Sequence, residues 1–387
     1  MQLPLETEAL VVHAPGGPFE MTPIVIQNLR PDEILVEMKY SGICHTDLWL
    51  QSGGAGPLVK FPVIPGHEGA GIIRAVGSAI TRDSQFLSVG DAVLLSFAAC
   101  GSCVPCREDQ FSRCTEFTPL NLTGVRRPDG SSPAAVLLSD GSHRTETPVR
   151  AQFFGQSSFS RYSVVHEHCV VKCPHPEDLA LYAPMGCGYQ TGAGTILNIM
   201  KPRPEQRVAV FGAGSVGFAA IMAAAALSIK QIVAIDIVGQ KLALARELGA
   251  THTINTTEIS GGVVEEIRNL TGGKGVDFAI DATGVASVVE QMLDCLAYGG
   301  TAASIGATPR EAKITVDVGA FFAEKKTWIG VAEGDSHPPK FIPELINLHK
   351  QGKFPIEKIS KVYPVADLER AISDMKDGTV IKPIIRF

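Results

Sequence analysis

The chain has 387 residues, 45% of them apolar and 19% charged, which is ample material for packed cores and not a composition typical of disorder. Its 34 basic and 40 acidic side chains leave a net charge of −6, which argues against a nucleic-acid or anionic-membrane surface, since both need clustered positive charge. The apolar stretch Val216–Ile229 is too short to span a bilayer, and the opening Met1-Gln2-Leu3-Pro4-Leu5-Glu6 carries neither a basic nor an apolar leader segment, so a soluble, cytoplasmic protein is expected.

From Glu8 to about Tyr40, short Val/Ile/Leu runs such as Ala9–His13 and Ile34–Lys39 alternate with Gly, Pro, Asn and Asp. Such runs read as antiparallel strands. The same texture returns at Gly69–Val76, Asp91–Leu95 and Ser160–His166, so the first half is expected to be β-rich. Turns between these runs hold Cys44-His45-Thr46-Asp47 and Gly66-His67-Glu68, and a third cysteine of interest, Cys187, lies further on in Met185-Gly-Cys-Gly-Tyr189. Two thiolates and one imidazole form a known catalytic zinc set with an open fourth position. Taken one at a time, each of these residues reads first as structural, since a lone cysteine is usually core.

Nine cysteines are present, and four of them, Cys100, Cys103, Cys106 and Cys114, crowd one short segment. In a reducing compartment such clustering points to metal rather than disulfides. Four thiolates on a loop complete a tetrahedral Zn²⁺ shell, so this zinc is expected to be structural. No second cluster motif supports an iron–sulfur reading. The stretch Thr118–Val149, rich in Gly, Pro, Ser and Arg, reads as a long surface loop.

Near Thr191 the rhythm changes. Arg207–Phe211, Gln231–Asp236, Val276–Asp281 and Thr301–Gly306 read as buried strands, with helical stretches to Leu227, over Lys241–Leu248 and over Val285–Leu296. Alternation of this kind predicts a parallel, doubly wound α/β sheet. Gly212-Ala-Gly214-Ser215-Val216-Gly217 follows a strand and opens a helix, the context in which a glycine fingerprint binds a dinucleotide pyrophosphate at a helix N-terminus. Asp236 closes the next strand, where a carboxylate accepts from a ribose diol and repels a 2′-phosphate, and Ile237 stands where an Arg would have served that phosphate. NAD is expected over NADP. After about Glu333 a helical Pro339–His349 and a closing Val380–Phe387 point to a return to the first domain.

The chain resembles the zinc-dependent medium-chain alcohol dehydrogenases. The resemblance rests on Gly42-Ile-Cys-His-Thr-Asp47, Gly66-His-Glu-Gly-Ala-Gly71, the four-cysteine segment, Cys187, the glycine fingerprint and Asp236, all in the family's order. Ser96-Phe97, Phe154-Gly-Gln-Ser-Ser-Phe159 and Gly352-Lys-Phe-Pro355 are similar to the aryl (benzyl-type) branch. The resemblance implies a GroES-like catalytic domain over 1–189 with a structural zinc lobe at about 97–117, a Rossmann domain over 190–332, and a return over 333–387. It implies that Cys44, His67 and Cys187 bind a catalytic zinc, with Glu68 close behind as a transient ligand or a field-tuning group. Asp47 would orient His67, and Thr46 would take the substrate proton. His45, Lys241, Ile305 and Lys382 would join the glycine turn in holding the cofactor, with Lys382 a cation near the phosphates. Trp49, Phe97, Phe153 and Phe154 would line the substrate pocket. The expected activity is hydride transfer between NAD(H) and a primary, aromatic-type alcohol or aldehyde, with two zinc ions per chain, in a homo-oligomer.

One departure stands out. Many relatives place a His three residues after the relay hydroxyl, and this chain has Trp49. An indole cannot act as a base, which leaves a water chain, His45, or the ribose hydroxyls as proton exits. The same feature motivates an alternative, a same-scaffold biosynthetic enzyme carrying out conjugate reduction or a non-redox rearrangement.

Overall fold

The computed structural model describes residues 3–80, 87–126, 128–139, 144–309 and 311–387. Two compact units emerge: Met1–Cys187 with His337–Pro343 and Ser360–Phe387, and Gly188–Ser336 with Glu344–Ile359. The expected boundaries near 190 and 332 therefore shift by a few residues, and 344–359, expected in the return, belongs to the second unit. Helix Pro338–Lys350 carries the division inside it. Fully buried Phe354 packs edge-on against Tyr189, which holds that segment to the second unit's core.

The first unit contributes β1 (Leu5–Val11), β2 (Glu20–Ile26), β3 (Glu33–Gly42), β4 (Gly69–Val76), β5 (Ala92–Leu95), β6 (Ala134–Ser139), β7 (Arg144–Pro148), β8 (Tyr162–His166) and β9 (Val170–Lys172). The second supplies β10 (Arg207–Phe211), β11 (Gln231–Asp236), β12 (His252–Asn255), β13 (Val276–Asp281), β14 (Leu296–Ser304) and β15 (Thr327–Gly330). The chain closes with β16 (Ser360–Pro364) and β17 (Lys382–Arg386) in the first unit.

Two sheets build the first unit. One runs β1-β2-β6-β7, all antiparallel; the other runs β16-β17-β3-β4-β5-β9, with β8 also paired to β3. The inward residues Val11, Ile24, Leu35, Val136, Val164 and Ile385 meet in one core, as alternation on a half-buried sheet requires. The stretch 118–149 is not the long loop expected. Helix Phe117–Leu122, β6 and β7 occupy it, while 127 and 140–143 lie outside the described residues. The reason is tertiary. Ala134, Ala135 and Val136 are buried by pairing with β2, whereas β7 is polar and exposed throughout, so no hydropathy alternation marks the hairpin.

The second unit is a six-stranded parallel sheet in the order β12-β11-β10-β13-β14-β15. Central β10 buries Val208, Ala209, Val210 and Phe211 in an unbroken run because helices cover both faces of such sheets. Each large aliphatic side chain enclosed there contributes roughly 1.5–3 kcal/mol. Strand order reverses between β10 and β13, and ligands of such sheets bind beyond the carboxyl ends at that point. Strands β12 and β15, His-Thr-Ile-Asn and Thr-Trp-Ile-Gly, are too short to stand out in the sequence. Among the described residues no helix is long and apolar enough to cross a membrane.

Candidate active site

The site is built around one carboxylate. β3 ends at Gly42, and helix His45–Gln51 starts immediately after Cys44. Asp47, at the third helical position, turns back so that Oδ2 accepts the Cys44 amide at 3.0 Å, closing the helix start. Its Oδ1 accepts the Gly66 amide at 3.0 Å and pairs with His67 Nδ1 at 2.9 Å. Asp47 is fully buried, so it ties the Cys44 turn to the His67 turn and leaves His67 with Nδ1 protonated and Nε2 as the lone-pair nitrogen.

That Nε2 is itself buried and has no hydrogen-bond partner, a state native proteins rarely leave unexplained. His67 stands with Cys44, Cys187 and Glu68 in a group whose donor atoms all lie within 4.8 Å of one another. The Cys44 thiol is held well below its ordinary value, chiefly by its hydrogen bond with Cys187; burial opposes this, and His67 adds to it. Burial opposes charge on His67, but the Asp47 carboxylate raises it well above its usual range, so a proton and a metal compete for the same nitrogen. Two thiolates and a carboxylate-backed imidazole fit Zn²⁺ with a fourth position open.

Around this trio, Phe154 lies over the His67 ring at 4.8 Å between centroids and Phe153 meets it edge-on at 5.6 Å. Phe97 is fully enclosed and packs against Phe117. Trp49, partly buried, joins the same apolar cluster, and Gly54 leaves room for it: a Cβ there would sit 2.3 Å from the indole. Thr46 Oγ1 accepts from Cys44 Sγ at 3.5 Å. His45 is exposed at the first helical position.

Lys382, expected as a cation near the cofactor phosphates, has a buried side chain, with Nζ donating to both Glu68 oxygens at 2.9 and 3.0 Å and to the Ile43 carbonyl at 3.1 Å. Pairing of β17 with β3 delivers it there. Gln156 is a site residue that sequence reading missed. Its fully buried amide donates to the carbonyls of His67 and Ser96, both at 2.9 Å, and accepts the Gly69 amide at 3.0 Å, which pins the backbone on either side of Glu68. No local spacing announces either role.

The four-cysteine lobe forms a second donor group, again with all donor atoms within 4.8 Å. Cys100 and Cys106 sulfurs are 3.9 Å apart, close to the roughly 3.8 Å edge of a tetrahedron with 2.3 Å Zn–S bonds. Cys100 Sγ accepts the Cys103 amide and Cys114 Sγ accepts the Cys100 amide, at 3.4 and 3.3 Å, donors that favour thiolates. Backbone donors at Thr115 and Cys106 bring the Cys103 thiol down to about 6, while burial pushes Cys106 up.

In the second unit, Gly212 has a φ of +94°, and a Cβ on it would press on Thr283 Cγ2 at 2.8 Å. A Cβ on Gly217 would lie 1.9 Å from the Gly212 carbonyl oxygen, so that glycine serves close packing. At Gly214 a Cβ would meet nothing within 4 Å, and no side chain caps helix Ser215–Ala226. Open space and uncapped amides at one helix N-terminus suit a pyrophosphate. Asp236 accepts the Ala213 amide at 2.7 Å and those of Ile237 and Val238 at 2.8 and 2.9 Å, which sets it against the glycine turn. Ile237 is exposed beside it, Lys241 is partly exposed in the first turn of helix Gly239–Glu247, and the Ile305 amide donates to the Asp281 carbonyl at the end of β13.

A doubly wound unit and a β-rich unit with two cysteine-centred donor groups are the parts of a metal-dependent dehydrogenase. The zinc-binding dehydrogenase family model matches residues 215–350, and the alcohol dehydrogenase GroES-like domain model matches 30–175. The chain belongs to the zinc-binding alcohol dehydrogenase family. It is 35% identical to a geraniol dehydrogenase of Castellaniella defragrans, covering 99% of this chain and 98% of that one. Among solved structures it matches benzyl alcohol dehydrogenase from Acinetobacter calcoaceticus at 36% identity and TM-score 0.90, over 99% of both chains. An alcohol dehydrogenase zinc-binding domain protein from Burkholderia ambifaria matches at 39% identity and TM-score 0.90, again over 99% of both.

Proposed function

We propose that this protein is a zinc- and NAD-dependent dehydrogenase that interconverts a primary alcohol and its aldehyde, with a carbinol carbon next to an aromatic or other π system. The observation that carries the reading is the orphaned His67 Nε2, buried beside the Cys44 and Cys187 sulfurs. The likeness to proteins named for geraniol and benzyl alcohol supports the substrate class. When bound, Zn²⁺ would supply Lewis acidity and NAD would supply the hydride acceptor.

The chain's own residues do the rest. Cys44, His67 and Cys187 hold the metal, and Asp47 keeps the imidazole in its liganding tautomer. Thr46, two residues from a ligand and within reach of Cys44 Sγ, accepts the hydroxyl proton. Trp49 is not a base, so the proton leaves through His45, water or the cofactor ribose. Phe153 and Phe154 exclude water beside His67, and Trp49 extends that apolar wall. The glycine turn takes the pyrophosphate and Asp236 the adenosine ribose, with Lys241 nearby. Cys100, Cys103, Cys106 and Cys114 hold a second, structural zinc. We place the protein in the cytoplasm as a homo-oligomer.

The test is zinc per chain together with NADH formation on benzyl alcohol. Two zinc ions with turnover support the reading; one zinc, or two with no turnover on any primary alcohol, overturns it. Cys44→Ala is expected to abolish turnover while NAD still binds by fluorescence titration, and normal turnover would remove Cys44 from the site. Asp236→Ala is expected to cut the preference for NAD over NADP by about tenfold or more, the equivalent of about 1.4 kcal/mol, as read by the kcat/KM ratio. An unchanged ratio would end that assignment.

A further inference from the structure

Lys382 and Glu68 form an ion pair with almost no access to water, at 1% and 0% exposure. A lysine ammonium has three protons, and three acceptors take them: Glu68 Oε1, Glu68 Oε2 and the Ile43 carbonyl. The carboxylate held this way is a donor in the same 4.8 Å group as Cys44, His67 and Cys187. It is therefore close enough to compete for the metal's fourth position, the one a substrate oxygen needs.

A second contact shapes the same carboxylate. A Cβ on Gly42 would lie 2.0 Å from Glu68 Oε2. Gly42 is absent from the positive-φ positions, so space rather than backbone conformation requires a glycine there. Its amide also donates to the Glu68 carbonyl at 3.0 Å. Gly42 gives the carboxylate a recess on one side, and Lys382 holds both of its oxygens there.

We propose that Lys382 is a positioning residue that keeps Glu68 out of the fourth position of the Cys44–His67–Cys187 site, so that this position stays open to an incoming oxygen ligand. The inference rests on the reading that this trio holds a metal. Arg in place of Lys382 keeps a cation that engages both oxygens. Met in its place removes the donors that Lys382 supplies to both Glu68 oxygens, and the carboxylate is then drawn more strongly towards the metal.

The test uses the full chain loaded with Co²⁺, titrated with imidazole and followed by the visible spectrum. The four-cysteine shell has no open position, so the response reports the other site. Lys382→Met is expected to weaken imidazole binding by about tenfold or more, the scale on which groups behind metal ligands act, and Lys382→Arg to stay near the parent. Adding Glu68→Gln to Lys382→Met is expected to restore the affinity, an outcome a merely structural role would not produce. Gly42→Ala crowds the recess without touching the cation, is expected to weaken imidazole binding likewise, and carries the test where Lys382→Met fails to fold. Unchanged imidazole affinity in both Lys382→Met and Gly42→Ala, with metal content intact, overturns the proposal alone. So does a double variant that stays weak. A parent chain whose spectrum never responds to imidazole overturns it together with the functional reading.

Discussion

Asp47→Asn is expected to strip metal from the Cys44–His67–Cys187 site while the four-cysteine lobe stays loaded. One Asp47 oxygen serves both the Gly66 amide and His67 Nδ1, and the other serves the Cys44 amide. An Asn offers one acceptor and one donor group in their place, so whichever way the amide turns, a buried donor faces another donor. The imidazole then loses its tautomer or its orientation. Partners of this kind are worth about 10–100-fold in metal affinity or activity. Metal analysis after dialysis against a weak chelator should fall from two ions per chain towards one, with turnover lost in parallel and the far-ultraviolet circular dichroism retained. Two tightly held ions in the variant would mean that Asp47 caps a helix and does no more.

The second large effect concerns stability. Arg126 and Glu33 are each 3% exposed and paired, with Arg126 Nε donating to Glu33 Oε1 at 2.7 Å. The same guanidinium donates to the Asn28 side-chain oxygen at 2.6 Å and to its carbonyl at 3.0 Å. Arg126→Met leaves the Glu33 carboxylate buried without its cation, which costs about 3–5 kcal/mol in comparable sites. A marked drop in thermal midpoint is expected, and Glu33→Gln in the Arg126→Met background should recover much of it. A single variant as stable as the parent would show that Glu33 reaches water or another cation once the arginine is gone.

Both effects bear on what could be read from residues alone. The β-rich first half, the strands β10, β11 and β13, and the glycine turn were legible because their signals are local: short alternating runs, continuous apolar runs, and a glycine spacing after a strand. The four cysteines were legible for the same reason, since all lie within one short segment. Cys44, His67 and Cys187 became a set only through likeness to a family, because their convergence is a property of the folded chain. The hairpin β6–β7 stayed hidden, as its outer strand is polar on both faces and depends on β2. The pairing of Lys382 with Glu68 was not legible, because a strand at the far end of the sequence carries the lysine there and no spacing rule spans more than 300 residues. Gln156 was missed because a glutamine that bonds three backbone groups looks like any other in a row of letters.

The Asp47 knot also distinguishes what the two proposed metals would do for the molecule. Cys44 and His67 are already tied to each other by a buried carboxylate and backed by Gln156, so a metal entering there finds its donors assembled and gives up little of its binding free energy to ordering the chain. In the four-cysteine lobe the donors sit on one short excursion, Cys106 and Cys114 buried with Phe111 and Cys100 and Cys103 partly covered, and the amides of Cys100 and Cys103 point at the sulfurs themselves. There an ion would organise the chain as much as the chain would hold the ion. One proposed metal would be a guest in a finished room and the other part of the wall, so the same chelator is expected to act on the first as an inhibitor and on the second as a denaturant.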